Sequence, residues 1–210
     1  PALLFIAEVY GKDNYRKYLD VAHFDLLYDK SGAYDTLRGI RTSGWSTEGL
    51  TWNWQWLGDM QPRMLNFLEN HDEQRLASPW FACSAHRSYA ALAFSMLYGP
   101  ASFMLYFGQE VGEDASEGHE GRTSIFEWSR PAAVEHLCRH IRLGTALEKE
   151  EAEILDRYRR MLSMARLAPF REGLTWDLCY CQTPHRGFDP DRHFAFLRYN
   201  STEAWPVVCN

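Results

Sequence analysis

Short apolar runs alternate along this chain with longer stretches of mixed polarity. Four of the runs are LLFIAEV (3–9), FDLLYD (24–29), MLNFLEN (64–70) and SFMLYFG (102–108), and each closes on polar residues or glycine. Brief, nearly continuous apolar segments of this kind predict parallel strands covered on both faces. Between them the spacing becomes helical. Asp13 is placed to cap NYRKYLDVA, Ser46 or Thr47 to cap EGLTWNWQWLGDM, and Ser84 opens AHRSYAALAFSMLY, which Gly99 and Pro100 close. Strand followed by helix, repeated, predicts βα units. Four such units in about a hundred residues approach the roughly 30 residues per unit of a (β/α)8 barrel.

The texture changes after the fourth run. GEDASEGHEGRTS (112–124) is long, polar and glycine-rich, which suits a loop over a site. Pro131 is placed as the first helical residue of AAVEHLCRHIRL, with Gly144 as its stop. An amphipathic helix is predicted over 147–167, with Leu155, Tyr158, Leu162 and Ala165 on one face. Beyond Pro169, LTWDLCYCQ and HFAFLRYN alternate as antiparallel strands do, so a boundary is expected near 169–172 with a small β domain beginning there.

Composition narrows the function. With 210 residues, 46% of them hydrophobic, the chain can bury one full core and part of a second. A net charge of -6 without a basic run argues against a nucleic-acid partner. No stretch reaches the roughly 18 apolar residues of a membrane span, and no signal-peptide pattern is present. The chain opens on Pro1 and is at once in a core-like run, so it is expected to be a piece of a longer protein. Five cysteines without C-x-x-C spacing signal neither a disulfide framework nor a zinc site. They read as buried thiols, which favours a reducing, cytoplasmic setting over a secreted one. Aromatics make up 15% of the chain and suit either a large core or sugar stacking; Trp52 and Trp56, four apart on one helical face, read as core.

Glu8 and Asp72 stand at the carboxyl ends of two predicted strands, the rim where active sites of parallel α/β folds form. Two carboxyl groups facing each other suit glycoside hydrolysis, in which one donates a proton and another stays ionised beside an oxocarbenium-like transition state. The apolar flanks of Glu8 in FIAEVY would favour its neutral, proton-donating form, while Asp72, near Arg75, should be held ionised. The residues alone leave another reading open: a structural ion pair at Glu8 and a core histidine at His71. Tyr10, Tyr28 and Tyr106 near strand ends read as packing, and His119 with Glu120 is a weak metal signal, so no metal site is assigned. Neither a phosphate-cradling glycine loop nor a G-x-S-x-G elbow occurs. An unrelated barrel, such as an aldolase or reductase, would want a lysine or phosphate site at the rim, and Lys30 has no anion loop beside it.

NFLENHDEQR resembles the Asn-His-Asp motif on the seventh barrel strand of the alpha-amylase family of glycoside hydrolases. FIAEVY resembles that family's fifth-strand motif, MLYFGQEVGE its eighth-strand segment, and GRTSIFEW the stretch that follows; FDLLYDK then falls on the sixth strand. The resemblance implies an α/β fold, an incomplete (β/α)8 TIM barrel of strands five to eight over 1–170, with the start of a C-terminal β-sandwich over 171–210. It implies a retaining reaction on α-linked glucans, with Glu8 as general acid/base and Asp72 as transition-state stabiliser. His71, Asn70 and Arg75 would bind substrate. The family's nucleophile, an aspartate in a Gly-x-Arg-x-Asp motif on the fourth strand, has no counterpart: GIRTS and GFDPDRH do not fit. The chain alone is therefore expected to be inactive, with no cofactor of its own and calcium in a parent protein held by residues outside it. Its open sheet edges are expected to pair with a missing upstream half-barrel or with another copy. Glucan transferase and isomerase of the same family share the same rim residues, and a non-catalytic carbohydrate-binding relative that keeps the fold without activity is the rival reading.

Overall fold

The computed structural model describes residues 3–123, 129–180, 182–185 and 187–210. Residues 124–128, which carry most of GRTSIFEW, and Cys181 lie outside them. Within the four apolar runs are four strands: β1 (Ile6–Ala7), β2 (Leu26–Tyr28), β3 (Met64–Phe67) and β4 (Ser102–Met104). They form one sheet in the order β1-β2-β3-β4, every neighbour parallel, with Leu27 opposite Met64 and Asn66 opposite Phe103. Only β3 is buried along its whole length. The two outer strands depart from the expectation of full cover: Leu3 is 81% exposed and Phe5 56%, because β1 has a partner on one side only.

The connections are helical. From Lys12 to Val21 the chain winds as a 3-10 turn and then a wider π turn, and Asp13 lies inside the first turn without capping it. After β2, the Asp29 carboxylate accepts the Ala33 amide (3.0 Å) and starts a π turn, Lys30–Tyr34, that runs into α1 (Asp35–Ser43). α2 (Glu48–Leu57) follows, α3 (Tyr89–Leu97) links β3 to β4, and α4 (Ala132–Leu143) begins after Pro131, which precedes the helix and is not its first residue. α5 (Lys149–Ala165) opens with a reciprocal capping box between Glu148 and Glu151. Its inward face is Ile154, Tyr158, Met161 and Ala165; Leu162, expected inside, is 38% exposed. The face is offset by one residue at two positions, with Ile154 packed against Gly112 of the segment after β4.

A short helix α6 (Ala168–Arg171) leads into β5 (Leu174–Asp177), β6 (Phe194–Tyr199) and β7 (Ala204–Cys209), an antiparallel sheet in that order. Phe194 and Phe196 of β6 pack edge-on to Tyr98, and Phe194 likewise meets Phe94 of α3. They share one core with Phe67, Leu92, Ile154 and Tyr158, so the antiparallel sheet is seated on the helical layer of the parallel one. Arg198, in the middle of β6, is wholly buried; it donates to the Phe170 carbonyl (2.6 Å) and to Thr175, and burial lowers its pKa to about 10. Among the described residues Cys83, Cys138, Cys179 and Cys209 form no disulfide; Cys209 is buried, whereas Cys83 and Cys138 are exposed, contrary to the buried-thiol reading. No helix among the described residues is long and apolar enough to cross a membrane.

Candidate active site

The parallel sheet directs every strand's carboxyl end to the same rim, and three strand ends bring carboxylates there. β2 ends on Asp29, which is buried and closed off: it accepts from Asn53 (2.8 Å), Ala33 and the Tyr15 hydroxyl (3.2 Å). Burial raises its pKa and those hydrogen bonds oppose the rise, so it is a structural acid. Glu8, one residue beyond β1, and Asp72, five beyond β3, face open space instead.

These two acids meet. One oxygen from each carboxylate and a ring nitrogen of His71 all lie within 4.8 Å of one another. His71 Nε2 is 3.5 Å from Asp72 Oδ2 and 4.0 Å from Glu8 Oε2. Asn70, buried, does two things at once. Its Oδ1 accepts the amides of Asp72 (2.9 Å) and Glu73 (2.8 Å), which forces the chain into a turn, and its Nδ2 donates to Glu8 Oε1 (3.3 Å). The same side chain therefore ties the two acids together. Glu73 pins the far side of the turn by accepting from Tyr34 (3.0 Å) and Arg38 (2.9 Å), with Lys30 Nζ at 3.2 Å.

The Glu8 carboxylate does not sit in the apolar envelope suggested by FIAEVY. In a strand, neighbours point to opposite faces, so buried Ala7 and Val9 face inward while Glu8 projects among Tyr10, Asn70 and His71. Tyr10 is the site residue that sequence reasoning set aside as packing. Its hydroxyl lies 3.0 Å from Glu8 Oε1 and 3.3 Å from Asp72 Oδ2, and it donates to either. Burial together with the two carboxylates lifts its pKa well above the ordinary value of 10, so the phenol stays a donor. The sequence signal was its place two residues after Glu8, the spacing that puts side chains on one face of an extended segment.

Arg75 is placed elsewhere. It has 0% exposure, and its hydrogen-bond partners among the described residues do not include Asp72. Its guanidinium donates to Glu69 (2.6 Å), the Thr123 hydroxyl (2.6 Å) and the Phe107 carbonyl (2.7 Å), and it stacks between Tyr106 and Phe107. Glu69 also accepts the Leu76 amide (2.8 Å); burial pushes its carboxyl up to about 7 against the pull of Arg75. The pair closes the loop 69–76 at its base and fastens it to the segment after β4.

Beside His71 opens a cavity of about 400 Å³, walled by Glu113, Ser116, Arg122, Arg130 and Pro131 from the polar segment after β4. A second cavity, between Asp29, Asn53 and Tyr98, is about 20 Å³ and holds no more than a water. His71 is the member of the cluster that lines this cavity; two carboxylates, an imidazole and a phenol together can hand a proton to a leaving oxygen and hydrogen-bond a polyol. Glu8, His71 and Asp72 are also close enough to grip a divalent cation.

No family model matches the sequence, and neither does any curated protein. The fold is more informative. It is shared with solved structures that are under 20% identical to this chain. The alpha-amylase from H. orenii superposes with a TM-score of 0.65 at 16% identity, over 98% of this chain and 43% of that one. The cyclic alpha-maltosyl-(1→6)-maltose hydrolase from Arthrobacter globiformis, solved with maltose, gives 0.64 at 19% identity, over 97% and 40%. AmyP in complex with maltose gives 0.65 at 15% identity, over 96% and 44%. The chain thus spans about two fifths of the length of the structures it matches.

Proposed function

We propose that this chain is the second half of the catalytic barrel of a retaining glycoside hydrolase acting on α-linked glucans, with β1 to β4 as barrel strands five to eight and β5 to β7 as the start of a C-terminal β domain. The convergence of Glu8, Asp72 and His71 within 4.8 Å at one rim carries this reading. In it, protonated Glu8 gives its proton to the glycosidic oxygen as the C1–O bond breaks. A carboxylate from a strand outside these four attacks C1 and forms a glycosyl ester. Glu8, now a carboxylate, takes a proton from water, whose oxygen displaces the ester and leaves the sugar with its α configuration. Asp72 and His71 accept and donate hydrogen bonds to the hydroxyls of the distorted sugar; Tyr10 and Asn70 hold the two acids in register. Without the attacking carboxylate no ester forms, so residues 1–210 alone are expected to be inactive.

The test uses the longer protein that supplies the neighbouring strands. Glu8→Gln is expected to lower kcat on maltoheptaose by about a hundred- to ten-thousandfold. An undiminished rate in Glu8→Gln overturns the reading. A divalent cation bound by Glu8, His71 and Asp72 in crystals of the longer protein would instead assign the three to a metal.

A further inference from the structure

Away from the carboxylate cluster, three tryptophans line one open groove of about 460 Å³, together with Lys12, Thr36 and Glu48. Trp45 is 53% exposed, Trp52 66% and Trp56 44%. This overturns the expectation that Trp52 and Trp56 are core: the face of α2 they share points outward, and Leu50 and Leu57 supply the buried one. Large aromatic rings facing water lose the stabilisation that burial would give, so three in one groove need a reason.

Two of the rings are held in place. Trp45 lies flat on α1 where residue 39 is glycine; a Cβ there would overlap the ring, and the Trp45 amide donates to the Gly39 carbonyl (3.2 Å). Trp56 meets Tyr15 edge-on at 5.9 Å, with Lys12 Nζ 4.8 Å from its ring centre. Lys12 is itself fixed by Asn53 (2.9 Å), which is bonded to buried Asp29. Preorganised rings cost little ordering on binding.

Several of the groove's polar groups are unspent. Among the described residues, the three indole N–H groups, the Thr36 hydroxyl and the Glu48 carboxylate have no protein partner. Apolar faces interleaved with idle donors and acceptors match a sugar chain, whose rings offer a C–H face to stack and hydroxyls that both donate and accept. A dry protein partner fits poorly, since it would strip water from Lys12 and Glu48 without pairing both.

We infer that this groove is a second carbohydrate-binding site, one that holds a chain of α-linked glucose away from the cleft. The α-glucan class rests on the proposed function; the stacking geometry does not. Binding of maltoheptaose and of cellohexaose is measured by calorimetry in a His71→Ala, Asp72→Asn background, which removes the sugar contacts of the cleft. In that background maltoheptaose is expected still to bind, with Trp52→Ala weakening it about tenfold and Trp45→Ala combined with Trp52→Ala about a hundredfold. Cellohexaose is expected to bind at least about tenfold more weakly than maltoheptaose. Circular dichroism and thermal melts check folding; if Trp45→Ala unfolds the protein, Trp52→Ala alone decides, because its ring is largely in solvent. Unchanged affinity in Trp52→Ala, absent maltoheptaose binding in the background protein, or equal binding of cellohexaose overturns the inference. Tryptophan-dependent binding in a protein whose turnover ignores Glu8 would remove the catalytic reading and leave the groove standing.

Discussion

The two acids of the site reach it by different routes. Asp72 rides on a loop fastened three times: by the buried Glu69–Arg75 pair at its base, by the Asn70 side chain within the turn, and by Glu73 on Arg38 and Tyr34. Glu8 follows an edge strand of two ladder residues, with Leu3 to Phe5 exposed ahead of it, and is steadied by Tyr10 and Asn70, with His71 at 4.0 Å. The β3 side is thus fastened within this chain, whereas β1 is an edge strand paired on one side only. Asn70 is the link between them, which makes the loop after β3 the reference against which Glu8 is placed.

The comparison can be broken first at the base of the loop. Glu69→Ala leaves a fully buried guanidinium without its carboxylate and is expected to cost about 3–5 kcal/mol in chemical denaturation. The same carboxyl sets a pH signature. Its folded-state value of about 7 lies above that of an unfolded glutamate, so across the window from about 4.5 to about 7 the folded chain holds a proton that the unfolded chain has lost. Glu69 therefore makes stability fall as pH rises through that window, and Glu69→Gln is expected to flatten the slope of the denaturation midpoint there. A Glu69→Ala cost under about 1 kcal/mol would show that the loop does not depend on this pair. Asn70→Ala is a smaller change, about 1–3 kcal/mol, because two backbone amides and one carboxylate lose a partner. In crystals of that variant Asp72 and Glu8 are expected to move apart. Smallest is Glu8→Gln, within about 0.5 kcal/mol of wild type, since the group is open to solvent and holds nothing else in place.

Much of the parallel sheet was legible because each strand is an apolar run that stops abruptly. Glu8 and Asp72 could be placed on a common rim from strand direction alone. The misses have local causes. α1 was overlooked because SGAYDTLRG carries two glycines and is weakly helical by composition; its start is set by Asp29 and by packing of Tyr34 on Phe67, stacked at 4.8 Å. β7 was missed because Pro206 interrupts its run, which is tolerated on an edge strand. Helical spacing put Trp52 and Trp56 on one face without saying which way that face turns. Nothing in NHDEQR tells which charges are buried: Arg75 finds Glu69 six positions back, a pairing created by the loop itself.

The central claim is that Glu8 protonates the leaving oxygen of an α-glucoside, and the most direct measurement compares leaving groups. In the longer protein, Glu8→Gln should turn over maltoheptaose about a thousandfold more slowly. It should also release fluoride from α-maltosyl fluoride in a burst close to the wild-type rate, because fluoride leaves without a proton, and azide should speed the second step that Glu8 no longer assists. Equal loss on both substrates, or no loss on either, would contradict the assignment.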